Sequence, residues 1–382
     1  MLGKKKVPKT KIFYASFNKD KSCLSLGMQK GYRIYDLTQD LTKKRNLYYY
    51  ERILGKSIGI IEMLEKTNIL ALSEGGDGPY MISKVVRIFD DREGKDLTEL
   101  TFRTGVIHIR LKKDRMLVVC ENSIYIISLA NFRSIDSISL GEEKRKIIPF
   151  AFSLEQQVNK LAFNIINSKE NIIKINTYDA ENRKTSIEIK SNFKPNNVIK
   201  YMEFNKKGKI LAVAVKHYPY VELFNTETGL IICKCQIDSD NLNINYISFS
   251  QDNDFLCCFS ESGEANVFNI KSAFDIQEEE ENEELINLNG NENENNVNTK
   301  LKIWTKFYLP ENKVICTFAN FLENEIGKNY IICIGTKGNY YLVKLNKDKN
   351  ENLSLKVCEK YFLKNDTELN YSQTQNPSTR RA

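Results

Sequence analysis

Histidine is almost absent from this chain of 382 residues, which holds only His108 and His217, together with a single tryptophan, Trp304, and seven prolines. The nine cysteines include no Cys-x-x-Cys pair, so no zinc-ligand set with workable spacing can be assembled. Metal sites and cofactors are therefore not expected. No Gly-x-Ser-x-Gly elbow is present either, and the two histidines fall in separate repeats, so nucleophilic catalysis lacks its parts. No run reaches the roughly 18 apolar residues of a membrane-spanning helix. The first residues are basic with no apolar stretch behind them, and Gly3 stands one place too late for the usual myristoylation pattern, so neither a signal peptide nor that lipid is expected. The cysteines, odd in number and scattered through apolar runs, read as core packing in a reducing compartment.

Charge is present but uneven. The net charge is +7, yet nine acids and no Lys or Arg lie between Ser272 and Thr299, so the remainder carries +16. A basic body favours anionic partners. The segment 275–299, acidic and rich in Asn, cannot bury enough apolar surface to order itself and is expected to be a disordered loop. Arginine is missing altogether between Arg183 and Arg380.

Repetition dominates what is left. Runs rich in Ile, Val, Phe and Tyr recur in threes, separated by short turns of Lys, Asn, Asp or Gly. One unit covers 13–18, a turn at 19–21, 23–28, a turn at Gly31 and 32–37. The same grammar returns over 201–225 and 246–270. The last strands of such units end near Leu37, Asp90, Leu129, Asp179, Asn225, Ile270 and Leu345, a spacing of roughly 40 to 50 residues once 275–299 is set aside. Helical patterns are scarce. The expected fold is all-β, a seven-bladed WD-repeat β-propeller, closed by pairing of strands from both chain ends. The expected organisation is a basic N-terminal tail over 1–9, the propeller over 10–364 with 275–299 as a loop in blade six, and a disordered tail over 365–382.

The stretch from Ser22 to Tyr35 resembles the first blade of the PROPPINs, the WIPI-type propellers of autophagy. The residues 62–72, then Gly75-Gly76 and 86–95, resemble the family's second blade, and 106–129 its third. The residues 245–268 look like blade six, and 304–310 like the approach to blade seven. The resemblance implies a non-enzymatic adaptor that recruits autophagy proteins to membranes bearing phosphatidylinositol 3-phosphate or 3,5-bisphosphate. It also implies a monomer, cytoplasmic and peripheral on endosomal, autophagic or vacuolar membranes, with the autophagy lipid-transfer protein or another autophagy protein docking on blades one to three.

The family's headgroup motif, Phe/Leu-Arg-Arg-Gly, falls on Cys235, Gln236, Ile237 and Asp238, so both arginines are gone. Arginine suits that task because its planar fork binds phosphate in two places and stays charged. Hydroxyl positions of the family's blade five are Ala212, Val213, Ala214 and Val215, its blade-five arginine is Glu222, and a blade-six threonine is Glu264, while Ser260 is kept. Each missing charge-assisted hydrogen bond is worth roughly 1.5–3 kcal/mol. A surviving phosphoinositide site would have to use Lys216, His217, Lys234, Gln236 and Ser260, with Lys200 nearby. The alternative is a protein-only interaction scaffold that has lost phosphoinositide binding.

Other features read more plainly. Asp90, Asp91, Arg92, Glu93, Gly94 and Lys95 form a polar turn, and Asp90, Asp91, Arg92, Glu93 and Lys95 are the candidate partner surface. Gly75 to Gly78 lacks the Lys-Ser/Thr of a phosphate loop and reads as a blade loop. Basic runs at 4–6, 43–45, 112–115 and 144–146 read as solubilising charge, and nucleic acid is not expected as a partner. Trp304 is expected to pack in blade seven.

Overall fold

The computed structural model describes residues 11–38, 49–76, 82–143, 145, 147–155, 157–166, 171–189, 191, 193–194, 197–237, 243–271, 300–310, 314–318, 330–335, 339–347 and 353–362. The basic tail 1–9, the acidic stretch 275–299 and the tail 365–382 lie outside these. The chain divides into two compact units, Met1–Lys146 with Ile334–Tyr341 and Glu359–Ala382, and Ile147–Cys333 with Leu342–Cys358. No helix among the described residues is long and apolar enough to cross a membrane.

The strands form seven sheets, each built on a four-stranded antiparallel meander in chain order, and the fifth sheet gains an edge strand from further along the chain. The first sheet takes Ile12–Phe17, Cys23–Met28, Gly31–Asp36 and Tyr49–Ile53. The second takes Ile58–Met63, Ile69–Glu74, Val85–Asp90 and Lys95–Thr101, and the third Val106–Leu111, Arg115–Cys120, Ser123–Ser128 and Ser134–Ser139. The fourth holds Phe150–Phe152, Lys160–Ile166, Asn171–Tyr178 and Lys184–Glu188, and the fifth Ile199–Phe204, Ile210–Val215, Tyr220–Asn225 and Ile231–Gln236. The sixth holds Ile244–Phe249, Phe255–Ser260, Glu264–Asn269 and Thr305–Tyr308, and the seventh Val314–Phe318, Tyr330–Gly335, Asn339–Lys347 and Leu353–Phe362. Among the described residues no sheet takes strands from both ends of the chain.

Burial explains the sheet order. Arg115–Cys120 and Ile210–Val215, both second strands, are buried at every residue, and in Ile210–Val215 the fourth and sixth sheets cover the two faces. Ile61, Leu70 and Tyr32 fill the space between the first two sheets; Leu211, Val213 and Ile173 do so between the fourth and fifth. Fourth strands such as Lys95–Thr101 and Ser134–Ser139 alternate with solvent and are polar. That polarity hides them from an apolar-run search, which finds three strands per unit.

The turns repeat at the level of single atoms. Asn18, Asn205 and Ser250 each follow a Phe that ends a first strand. Their side-chain oxygens accept from Cys23 N at 2.8 Å, Ile210 N at 3.1 Å and Phe255 N at 2.9 Å. Three residues on, Lys21, Gly208 and Asn253 take φ of 64°, 66° and 65°, which closes each hairpin. At Gly31, φ is 145° and an added Cβ would strike the Arg52 carbonyl, so only glycine fits. The eight described cysteines are all free and buried, as core packing requires.

First strands also carry charge inward. Glu62 is buried, and its Oε2 lies 3.4 Å from Arg110 Nη1, which also donates to Tyr14 OH at 3.2 Å. Burial raises the Glu62 carboxyl and the Arg110 charge opposes it. Beside them, burial and then Arg110 hold the His108 imidazole down to about 3. A histidine depressed in the folded state leaves the unfolded chain binding more protons between about pH 3 and 6.5, so stability falls as pH drops through that window. Urea midpoints are expected to show about 2 kcal/mol lost between pH 7 and pH 5 through this group, and His108→Gln is expected to remove that slope.

Candidate functional site

Alternation along the fifth sheet sends its side chains to two faces. Val221, Leu223, Cys233 and Cys235 join the core shared with the sixth sheet. Glu222 points the other way, beside its cross-strand neighbour Lys234. The Lys234 ammonium lies 3.0 Å from Glu222 Oε1, and Tyr218 OH donates to the same oxygen at 2.9 Å. Glu222 is only 2% exposed. Burial, then the hydrogen bond and charge of Glu222, raise the Tyr218 hydroxyl above the ordinary tyrosine range.

A second cation arrives from beyond the acidic stretch. Lys300–Leu301 lies parallel on the outer edge of the fifth sheet, placing Lys300 against Lys234 and Leu301 against Cys235. Lys234 and Lys300 then sit over the Tyr220 ring, 5.9 and 5.7 Å from its centroid. The chain goes on to Thr305–Tyr308, the outer strand of the sixth sheet. Trp304 stacks on Phe255 at 4.6 Å, so it packs in the sixth blade and not the seventh.

The expected lipid residues therefore fall in three places. Lys216 and His217 are exposed in a turn where His217 takes φ of 57° and Lys216 N donates to Val198 O at 2.8 Å. Lys234 and Gln236 lie on the outer strand, Gln236 opposite Tyr220. Ser260 is fully buried in the next sheet, its Oγ donating to Glu264 O at 3.1 Å and paired with Ser262 Oγ at 2.6 Å. Ile237, where the resemblance leads one to expect a motif arginine, is buried and its N–H donates to Pro219 O at 2.8 Å. Asp238 lies outside the described residues. Sequence reasoning missed Lys300, Tyr218 and Tyr220. The parallel pairing behind Lys300 leaves no local signal, whereas the aromatic spacing at Tyr218 and Tyr220, on either side of a proline, could have been noticed.

The other candidate surface is a turn with a built-in anchor. Asp90 Oδ1 accepts from Arg92 N at 2.9 Å and Glu93 N at 3.1 Å, and Gly94 takes φ of 69°. These bonds, with one from Asn68, hold the Asp90 carboxyl below its usual range. Asn225 and Gly229 repeat the same turn in the fifth sheet. Asp91 turns inward, accepting from Arg52 Nε at 2.5 Å and Tyr32 OH at 2.6 Å, and so ties the turn to the first sheet. Arg92, Glu93 and Lys95 remain exposed at its tip. Gly75 lies against Gly59, where a Cβ would come within 2.6 Å of the Gly75 Cα, a packing reason for glycine in that loop.

Seven consecutive antiparallel meanders of this kind define a seven-bladed β-propeller. Kluyveromyces lactis Hsv2 has the same fold, with a TM-score of 0.72 at 18% identity over 93% of this chain and all of that one. KlAtg21, solved in complex with the coiled-coil of AgAtg16, matches at a TM-score of 0.67 and 18% identity, again over 93% of this chain and 100% of that one. The PROPPIN family model matches residues 12–285, and the chain belongs to that family. Autophagy-related protein 18 of Komagataella pastoris is 26% identical over 298 residues, 70% of this chain and 53% of that protein. The Kluyveromyces lactis protein of the same name is 24% identical over 330 residues, 71% of this chain and 64% of that protein. This chain therefore spans about half to two thirds of the length of these two relatives.

Proposed function

We propose that this chain is a non-enzymatic propeller adaptor in autophagy or a related endomembrane process, acting through protein partners and not through headgroup recognition of the family's kind. The observation that carries this is Glu222. A buried carboxylate stands where the family places a cation, and the chain closes it with its own Lys234 and Tyr218. A phosphate brought there would meet an acid and would have to take Lys234 from it. The complex of KlAtg21 with a coiled-coil supports protein partners for propellers of this fold, and the exposed tip at Arg92, Glu93 and Lys95 is the surface proposed for one. Titration calorimetry with soluble inositol 1,3-bisphosphate is expected to show no saturable binding. Saturation at micromolar concentration would refute the reading.

One observation favours a second reading. Lys216, His217 and Lys300 have no acid partner among the described residues. The two lysines suit a general attraction to an anionic bilayer, which depends on total charge and is screened by salt. Lys216→Glu and Lys300→Glu would each weaken such an attraction.

A further inference from the structure

The third and fourth strands of several blades are joined by a cross-strand ion pair, and its polarity is not constant. In the first sheet Arg33 on the third strand meets Glu51 on the fourth at 3.0 Å, and in the fourth sheet Lys174 meets Glu188 at 3.0 Å. Blades five and six reverse the order. Glu222 and Glu264 occupy the third strand, and Lys234 and Lys306 the outer one. The two reversed pairs are not equivalent. Glu222 is satisfied by two donors. Glu264, 5% exposed, has Lys306 only at 3.9 Å, and its Oε1 has no hydrogen-bond partner among the described residues.

Asn266 makes the difference sharper. It is fully buried two residues along the same strand, and neither its Nδ2 nor its Oδ1 has a partner among the described residues. Alternation puts Glu264 and Asn266 on one face, and the register adds Tyr308 opposite Glu264 and Lys306 opposite Asn266. Lys306 Nζ lies 5.9 Å from the centre of the Tyr308 ring. Tyr308, opposite Glu264, is 59% exposed, while Glu264 and Asn266 are buried polar groups of the kind that native structures seldom leave unpaired. Lys306, itself 47% exposed, is the cation that approaches Glu264.

We infer that this face of blade six binds a cationic side chain of a partner protein, and that the side chain is an arginine. A guanidinium carries five donors in a plane. It can serve Glu264 and Asn266 Oδ1 together while stacking on Tyr308, in place of the Lys306 ammonium. A phosphate has no donors to offer Glu264 and would be repelled by it. The inference rests on the protein-adaptor reading above and gives that reading a partner chemistry.

The test uses the full chain and two capped peptides, acetyl-Gly-Arg-Gly-amide and its Gln counterpart, followed by NMR shift titration. The arginine peptide is expected to bind at least about tenfold tighter, a charge-assisted bond being worth that much. Glu264→Gln is expected to erase the preference, and Lys306→Ala, which removes the internal competitor, to widen it. Equal binding of the two peptides, or a preference unchanged in Glu264→Gln, overturns the proposal. If Glu264→Gln fails to fold, Lys306→Ala decides, because a preference that does not widen is then the contrary result. Binding of inositol 1,3-bisphosphate in the same titration would instead sink the adaptor reading, so the two failures are told apart.

Discussion

Arg110→Ala is expected to lower the unfolding free energy by about 3 kcal/mol, because it leaves the buried Glu62 carboxylate without its counter-charge. The pair is short of ideal at 3.4 Å, but Glu62 has a side-chain exposure of only 3%, so water cannot replace the guanidinium. The sign of the pH dependence follows. Burial raises the Glu62 carboxyl in the folded state, and removing Arg110 raises it further. An acid raised on folding costs stability as pH rises through its folded value, since the unfolded chain has already released the proton. The penalty in Arg110→Ala is therefore expected to shrink as pH falls towards 5, and Arg110→Ala with Glu62→Gln to be milder than Arg110→Ala alone. Urea denaturation at pH 5 and pH 7.5 checks both. A penalty independent of pH would mean that lost packing, not the unpaired charge, is responsible.

Lys234→Ala is the second large effect, at about 2–3 kcal/mol, by the same logic at the candidate site. Glu222 would keep Tyr218 OH but lose the 3.0 Å contact that neutralises it. Glu222→Gln is expected to cost less, since a neutral amide tolerates burial beside Tyr218, and the double variant is expected to fall well short of the sum. A double-mutant cycle by thermal or urea unfolding measures the coupling. Additive effects would show that Lys234 is not committed to Glu222, and would return it to the pool of cations free for an anionic ligand.

The repeat was legible because its punctuation is local. Asn18, Asn205 and Ser250 mark the same hairpin three times, and Asp90 and Asn225 mark the same outer turn, each by side-chain bonds to backbone a few residues away. Middle strands showed themselves as apolar runs, and Ile210–Val215 is one whose two faces the fourth and sixth sheets bury. The outer strands did not, because one face meets water and Lys95–Thr101 or Ser134–Ser139 carries little apolar signal. At the site, the loss of both motif arginines and the acids at Glu222 and Glu264 could be read directly. What those acids do could not. Whether Glu222 is satisfied and Glu264 is not depends on Tyr218, Lys234 and Lys306, which cross-strand register brings into place. Lys300 reaches Tyr220 only because the chain returns from blade six to the edge of blade five before completing blade six.

Flotation with vesicles near physiological salt tests the central claim, that blade five has closed its headgroup position with its own side chains. Vesicles carrying phosphatidylinositol 3-phosphate and vesicles matched in total charge with phosphatidylserine are expected to recover the protein equally. Recovery that requires the phosphoinositide, and that survives charge matching, would contradict the account.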